Sequence, residues 1–460
     1  MNIFIHHRDI RINDNTTLNK MSESVENIVP IFIFTPEQID KEKNEYFSNS
    51  LVYFMCNSLE ELYLDYKSKK GKMNFYYGNT LKIIKEINNE YKINSIGFNV
   101  DYSPFARNRD NEIINWSKKN NITIFYEEDM LLVPIMTGNT FKKNTSDPYK
   151  KFTPFKNYLK QMYKIRKIKN NKISFYNKNL KTTNSINISY FKNFYENENN
   201  LNVLSGRKEG LKKLNLIKEQ KEYNKMRNFL SYKTSNISAY INLGLISIRE
   251  LYFKIIEKLG NNNNLIDELY WRDFYYNILY FYPHVVGNSF NKKYDNIKWN
   301  NDKNNFKKWC QGKTGFPIID ACMRQLNKTG YMHNRGRMVV ASFLTKDLLI
   351  DWKWGEKYFA TKLIDYNISA NNGGWQWASG SGTDSQPYFR IFNPWTQSKT
   401  YDKDCLYIKE WINELKNVEN KDIHNWFKTY KNYPNTDYPK PIIDHDVERL
   451  NALKIYKKYV

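Results

Sequence analysis

The 460-residue sequence holds only four cysteines, Cys56, Cys310, Cys322 and Cys405, widely spaced and with no C-x-x-C among them. A disulfide scaffold and a thiolate zinc site are therefore not expected, and no metal centre is assigned. There is no run of about 18 apolar residues, so no membrane span is expected. The opening MNIFIHHRDIRIND is charged within eight residues and offers no apolar core of a secretory signal. The expectation is a soluble intracellular protein, cytoplasmic or nuclear according to the host, and not secreted. Tandem repeats are absent. Tryptophan is nearly missing from the first 270 residues, where Trp116 stands alone; the other ten of eleven follow it.

What is present is positive charge and aromatic rings. Lys plus Arg number 71 against 48 Asp plus Glu, a formal net charge of +23. Such an excess suits a polyanion partner, most often nucleic acid. The abundance of Asn, Lys, Ile and Tyr is also what an AT-rich genome encodes, so charge alone leaves both origins open. Aromatic residues make up 16% of the chain. AT bias does not favour tryptophan, so its crowding after residue 270 marks the C-terminal half as chemically distinct. The length allows two or three domains and a sizeable core.

The first 130 residues alternate short apolar runs with amphipathic segments. Strands are expected at 2–6, 29–34, 73–77, 95–100 and 123–126, and helices at 50–67, 80–91 and 107–120. Leu51, Phe54, Met55, Leu59, Leu62 and Tyr63 follow helical spacing. Strands separated by helices predict a five-stranded parallel doubly wound sheet, an α/β domain over 1–130. No G-x-G-x-x-G follows the first strand, so a dinucleotide on that turn is not indicated. Over 131–205 the pattern dissolves into Lys, Asn, Ser and Thr. This segment reads as a long surface connection with a short helical piece near 149–162, its lysines a solvated face rather than an import signal. From 206 to 460 the reading is all-helical. Pro317 opens one helix at its first position and Gly330 closes it; the next starts near His333 and carries VVASFLTKDLLI.

Four segments carry residue types that a bare core does not need. In DELYWRDFYYNILY, Glu268, Trp271, Arg272 and Tyr275 fall at i, i+3, i+4 and i+7, placing a carboxylate, an indole and a guanidinium on one helix face. An ordinary amphipathic helix with an Arg–Glu pair reads the same way. In MHNRGRMVVASFL, Asn334, Arg337 and Met338 share a face, while Arg335 points about 100° away. The run LIDYNISANNGGWQWASGSG sets Asp365, Asn371, Asn372, a Gly-Gly pair and two tryptophans within thirteen residues, and glycines there let a bulky planar ligand approach the backbone. In YKTSNIS, Thr234, Ser235 and Ser238 precede a helix, where hydroxyls and free N–H groups suit a phosphate or simply an N-cap.

At this point a resemblance emerges. HHRDIRINDNTTL, DYSPFARNRD, YKKFTPF, ELYWRDFY, WCQGKTGFPIIDACMRQLNKTGYMHNRGRM, ASFLTKDLLIDWKWGEKYF and NNGGWQWASGSGTDSQPYFRIFNP resemble the cryptochrome/photolyase family run after run, over nearly the whole chain. The sequence is most similar to class I cyclobutane pyrimidine dimer photolyases. The resemblance implies an α/β domain, a connecting loop and a helical domain that holds FAD, reduced and anionic when active. A second antenna chromophore, folate or deazaflavin, is implied without its identity. The implied partner is UV-damaged DNA, and the implied state a monomer.

The resemblance also implies roles residue by residue. Tyr223, Thr234, Ser235 and Ser238 match the flavin phosphate region. Arg272, Asn334, Arg337, Asp365, Asn367 and Asn371 match positions around the flavin, with Asn371 facing N5; an amide cannot protonate N5 as an acid would. Glu268, Trp271, Asn334, Met338 and Trp377 match the lesion pocket, with Trp271 and Trp377 as its walls. Arg227, Arg335 and Arg390 match phosphate-gripping positions. Trp375, Trp352 and Trp299, separated by 23 and 53 residues, match an electron-transfer chain to the surface. The implied reaction is light-driven transfer of an electron from reduced FAD to a flipped dimer, which splits and returns it.

The alternative is a blue-light receptor of the cryptochrome type without repair. Asn371, where such receptors often carry Asp, and the short stretch after PKPIIDHDVERLNALKIYKKY favour repair. Repair of the 6-4 photoproduct calls for two histidines where Asn334 and Met338 stand. The single-strand-specific branch has Tyr and Gln where Trp377 and Met338 stand. Four departures from the family pattern remain: Asn367 for a second Asp near the flavin ring, Asn236 for a common Arg, His6 and His7 in the opening motif, and Phe105–Ala106 where some folate-binding members carry an acid.

Overall fold

The computed structural model describes residues 1–138, 140–142 and 145–459. Five strands come from the first third of the chain: β1 (Asn2–His6), β2 (Ile28–Phe34), β3 (Asn74–Tyr77), β4 (Ser95–Asn99) and β5 (Thr123–Glu127). β1 pairs in parallel with both β2 and β4. β2 pairs with β3 and β4 with β5 in the same sense. All seven residues of β2, IVPIFIF, are buried, the continuous apolar run of a parallel strand covered on both faces.

The expected five-stranded sheet is corrected to six. A two-residue strand, β6 (Ser185–Ile186), pairs antiparallel with β3, and the order is β5-β4-β1-β2-β3-β6. β6 falls in the Lys- and Asn-rich connection. Two residues have no periodicity, so only the partner, with Phe75 opposite Ile186, defines this strand.

Helices α1 (Asn49–Ser68), α2 (Thr80–Tyr91) and α3 (Pro104–Lys119) connect the strands. Ser48 and Ser103 cap α1 and α3, accepting from Leu51 N and Ala106 N. α3 begins three residues before the expected start because Pro104 occupies its first turn behind the Ser103 cap. The connection also supplies α4 (Phe152–Met162).

The rest of the described chain is helical. Its principal elements are α5 (Ile248–Leu259), α6 (Asn264–Phe281), α7 (Pro317–Thr329), α8 (Asn334–Ser342), α9 (Trp352–Lys362), α10 (Ile368–Ser379) and α11 (His445–Lys457). α7 starts with Pro317 and ends on Gly330 at φ +66°, as its sequence predicts. α8 is capped by His333 and widens into a π-helical turn, Phe343–Asp347, where the sequence predicts a single continuous helix. One core cluster joins a face of the sheet to α4, α5 and α6; a second, built around Trp309, Trp352, Trp375, Trp395 and Trp426, belongs wholly to the helical part.

Sheet and helices are joined by buried ions. Arg249 on α5 donates to Asp14 Oδ2 at 2.9 Å and to Asp129 Oδ1 at 2.7 Å, and Arg11 donates to Asp129 Oδ2 at 2.6 Å. All four side chains are under 5% exposed, so each charge depends on the others for compensation.

Candidate functional site

α10 is the central element: α6, α8 and α9 all pack against it. This brings the marked residues from four separated segments to one region. Asn263 caps α6, accepting from Leu265 N at 2.9 Å, and Leu265, Ile266, Leu269, Tyr270 and Phe274 bury the opposite face. The face bearing Glu268, Trp271, Arg272 and Tyr275 stays partly open.

Trp271 is stacked flat on Phe152, with ring centroids 3.6 Å apart and planes 9° from parallel, and leans on Tyr275 at 5.6 Å. Phe152 opens α4, so the connecting segment supplies part of this wall. Glu268 is ion-paired with Arg227. Burial pushes the Glu268 carboxyl up from the usual range, and Arg227 opposes that shift.

Across from α6, Asn334 Nδ2 lies 3.7 Å from Met338 Sδ. Arg335 lies 4.4 Å over the Tyr401 ring and donates to Asn228 Oδ1 at 2.7 Å. A cavity of about 510 Å³ opens here, lined by Arg335, Met338, Arg390, Gln397 and Tyr401 among others. It gathers three of the predicted residues; Glu268, Trp271 and Trp377 are outside its lining. Arg390 is exposed.

Arg337 donates through Nη2 to both oxygens of Asp365, at 3.1 and 3.0 Å. Ser238 Oγ donates to the same carboxylate at 2.7 Å. Ser238 starts a one-turn helix whose cap is Ile237, so neither it nor Thr234 acts as the N-cap. Thr234 Oγ1 lies 3.2 Å from Tyr331 OH. Asn236 stands at φ +50°, a left-handed conformation that asparagine tolerates better than most residues. Tyr223 is buried nearby.

Asn371 Nδ2 donates to Glu356 O at 3.0 Å, which fixes the amide plane. Burial pushes the Glu356 carboxyl up to about 7, although Asn372 donates to it at 3.1 Å. Asn367 caps α10, with Oδ1 accepting from Ser369 N and Ala370 N.

Trp375 is 2% exposed and lies against Gly355, where a Cβ would come within 2.1 Å of its ring. Trp352 is one turn before Gly355 on α9. Asn300 N donates to Leu349 O at 2.8 Å, which brings Trp299 beside the stretch leading into Trp352. Trp375 and Trp352 are buried and Trp299 is half-buried, packed edge-on to Tyr456 at 6.1 Å. Trp309, not singled out in the sequence, meets Trp375 at 6.0 Å. Phe152 and Trp309 escaped notice because each touches its partner across more than sixty residues, where no local period reports contact.

Family models place this arrangement. One described as the FAD binding domain of DNA photolyase matches residues 265–458, and one described as DNA photolyase matches residues 2–172. A deoxyribodipyrimidine photo-lyase of Buchnera aphidicola subsp. Baizongia pistaciae is 35% identical over 494 residues, covering 99% of this chain and 98% of the relative.

The chain belongs to the DNA photolyase family.

The deoxyribodipyrimidine photo-lyase of Escherichia coli is 31% identical over 477 residues, with 98% and 97% of the two chains covered. Among solved structures, an archaeal photolyase from Sulfolobus tokodaii with two FAD molecules aligns at TM-score 0.89 and 37% identity over 99% of each chain. A cryptochrome from Synechocystis aligns at TM-score 0.89 and 25% identity, with 99% of each chain covered. By family the protein is a FAD-binding flavoprotein and a lyase of DNA repair. Among the described residues no helix is long and apolar enough to cross a membrane.

The residues present fit a flavin. Arg272 Nη1 donates to Met130 O at 2.7 Å, while Nη2 is buried without a partner. Gly373 packs against Tyr275, where a Cβ would come within 2.1 Å, whereas a Cβ on Gly374 would meet nothing within 4 Å. A planar ligand between α6, α8 and α10 would therefore find an open backbone face and an unspent cationic donor.

Proposed function

We propose that the protein repairs cyclobutane pyrimidine dimers in DNA under blue light, with FAD held between α6, α8 and α10. The observation that carries this reading is that α6, with Glu268 and Trp271, and α8, with Asn334 and Met338, both pack on α10. Together these residues offer an aromatic wall, a carboxyl and an amide, and no histidine. His333, at the start of α8, is held by burial and by Arg335 and Arg337 down to about 4, and its Nδ1 is spent accepting from Arg335 N at 3.1 Å. That chemistry suits a cyclobutane lesion better than the 6-4 photoproduct, whose repair needs an acid–base pair.

Trp271, backed by Phe152, and Trp377 wall the flipped dinucleotide and exclude water. Glu268 and Asn334 hold its Watson–Crick edge. Arg227, Arg335 and Arg390 hold flanking phosphates and fix register without reading sequence. Excited reduced FAD supplies an electron to the cyclobutane ring and takes it back, with no net redox change. Thr234, Ser235, Ser238 and Tyr223 hold the phosphate end; Arg272, Arg337, Asp365, Asn367 and Asn371 surround the ring end, and Asn371 offers a carbonyl acceptor with no acidic proton. Trp299, Trp352 and Trp375 pass electrons inward when the cofactor arrives oxidised.

The division of labour follows the chain: an α/β domain over 1–130 that houses any antenna chromophore, folate or deazaflavin, a connection over 131–205, and a catalytic domain over 206–460 acting as a monomer. The test is a substrate panel: duplexes carrying one thymine dimer or one 6-4 photoproduct, and the same strands unpaired. Light-dependent loss of the cyclobutane lesion alone supports the reading; loss of the 6-4 lesion instead overturns it.

A further inference from the structure

Asn367 replaces the second acid that the family resemblance predicts near the flavin ring. Its side chain is 8% exposed and all its polar capacity is spent. Oδ1 accepts from Ser369 N and Ala370 N at 3.1 Å and from Ser369 Oγ at 2.7 Å. Nδ2 donates to Tyr276 OH at 2.6 Å and to Asn242 Oδ1 at 3.0 Å. The amide is thus a hub between α10, α6 and the helix that carries Asn242.

Two arginines adjoin this hub. Arg8 donates to Asn242 Oδ1 at 3.3 Å and has its own carboxylate, Asp101, at 3.3 Å. Arg272 lies 5.1 Å over the Tyr276 ring. Its hydrogen bond runs to the Met130 carbonyl, and its Nη2 is buried and unpartnered. The neighbouring carboxyl, Asp273, is turned to the backbone, accepting from Val133 N at 2.8 Å and Leu132 N at 3.3 Å. Burial pushes Asp273 up to about 7, so near neutrality it balances Arg272 only in part. Asp365 is already held by Arg337 and Ser238. A carboxylate at 367 would keep the cap, accept from Tyr276, require the Asn242 amide to turn a donor toward it, and add one full negative charge across the Tyr276 ring from that cation.

We propose that the neutral amide at 367 leaves the half-buried Arg272 guanidinium without a full countercharge, and that this cation favours the reduced, anionic form of FAD over the oxidised form. The inference rests on FAD occupying the site proposed above. A fixed charge in a water-poor site acts strongly on a ligand whose charge changes, because little solvent screens it. Asn367 acts through Tyr276 and Arg272, and is a positioning residue rather than a catalytic one.

A redox titration of the FAD-loaded protein tests this. In Asn367→Asp, with FAD still stoichiometric by absorbance, the oxidised-to-reduced ratio at the wild-type midpoint rises at least tenfold. An unchanged ratio with FAD retained overturns the inference and leaves the FAD site standing. Failure of the wild-type protein to hold FAD overturns the site and the inference together. If Asn367→Asp does not fold, Arg272→Gln replaces it: removing the cation moves the ratio in the same direction, and no shift, or a shift toward the reduced form, contradicts the proposal.

Discussion

Arg227 and Glu268 are joined in an ion pair, with Glu268 on the face of α6 proposed to meet the lesion. One residue is assigned to the DNA backbone and the other to the damaged bases, yet the first sets the state of the second. Burial raises the Glu268 carboxyl and Arg227 lowers it. Glu268→Ala is expected to weaken lesion binding by about 1.5–3 kcal/mol, the worth of a hydrogen bond to a charged group, and to lower repair per photon with FAD content unchanged. Repair that needs the carboxylate falls as pH drops. Arg227→Ala moves that fall to higher pH, because it removes the group holding the carboxyl down. Repair yield against pH for parent and variant checks the direction; superimposable profiles contradict it.

Trp299→Phe is expected to abolish photoreduction of oxidised FAD while sparing repair by chemically reduced protein. Trp299 is half-buried beside Tyr456 and is not among the residues lining the opening of Met338 and Arg335. Flash absorption and a repair assay on the same preparation separate the two activities; loss of both would refute the division.

Arg249→Met is expected to cost about 3–5 kcal/mol of stability, because it strands Asp14 without its ion-pair partner and leaves Asp129 with Arg11 alone. Asp129 is fully buried, and although burial alone would raise its carboxyl, Arg11 and Arg249 hold it well below the usual range. A carboxylate so depressed contributes stability above its unfolded pKa, and that contribution is lost as pH falls toward the folded value. Urea unfolding of parent and variant measures the difference, which shrinks in strong acid.

Glu356 predicts the opposite slope. Its carboxyl is raised to about 7, so the folded protein keeps a proton that the unfolded chain releases above about pH 4.3. Stability is therefore lost as pH rises through that interval. Glu356→Gln keeps an acceptor for Asn372 and is expected to be more stable than the parent near pH 8, by on the order of 3 kcal/mol, with the advantage gone near pH 4. Equal stabilities at both pH values would contradict the assignment.

The parallel strands were legible because apolar runs such as Ile28–Phe34 need both faces covered, and Pro317 with Gly330 marked one helix at both ends. β6 was not legible, since two residues define a strand only through a partner more than one hundred positions away. The site divides the same way. Glu268, Trp271 and Arg272 announced themselves by helical spacing, whereas Phe152 behind Trp271 and Tyr276 behind Asn367 required the fold. Asn367 read in sequence only as a departure; its cap and its two donated hydrogen bonds show why an amide holds the position.

The most direct test of the central claim is anaerobic repair of a single thymine dimer in duplex DNA by the protein with fully reduced FAD, under blue light and in the dark. Loss of the dimer in light and its persistence in the dark is the predicted result. Persistence of the dimer in both, with reduced FAD fully loaded, would contradict the claim that this site repairs cyclobutane lesions.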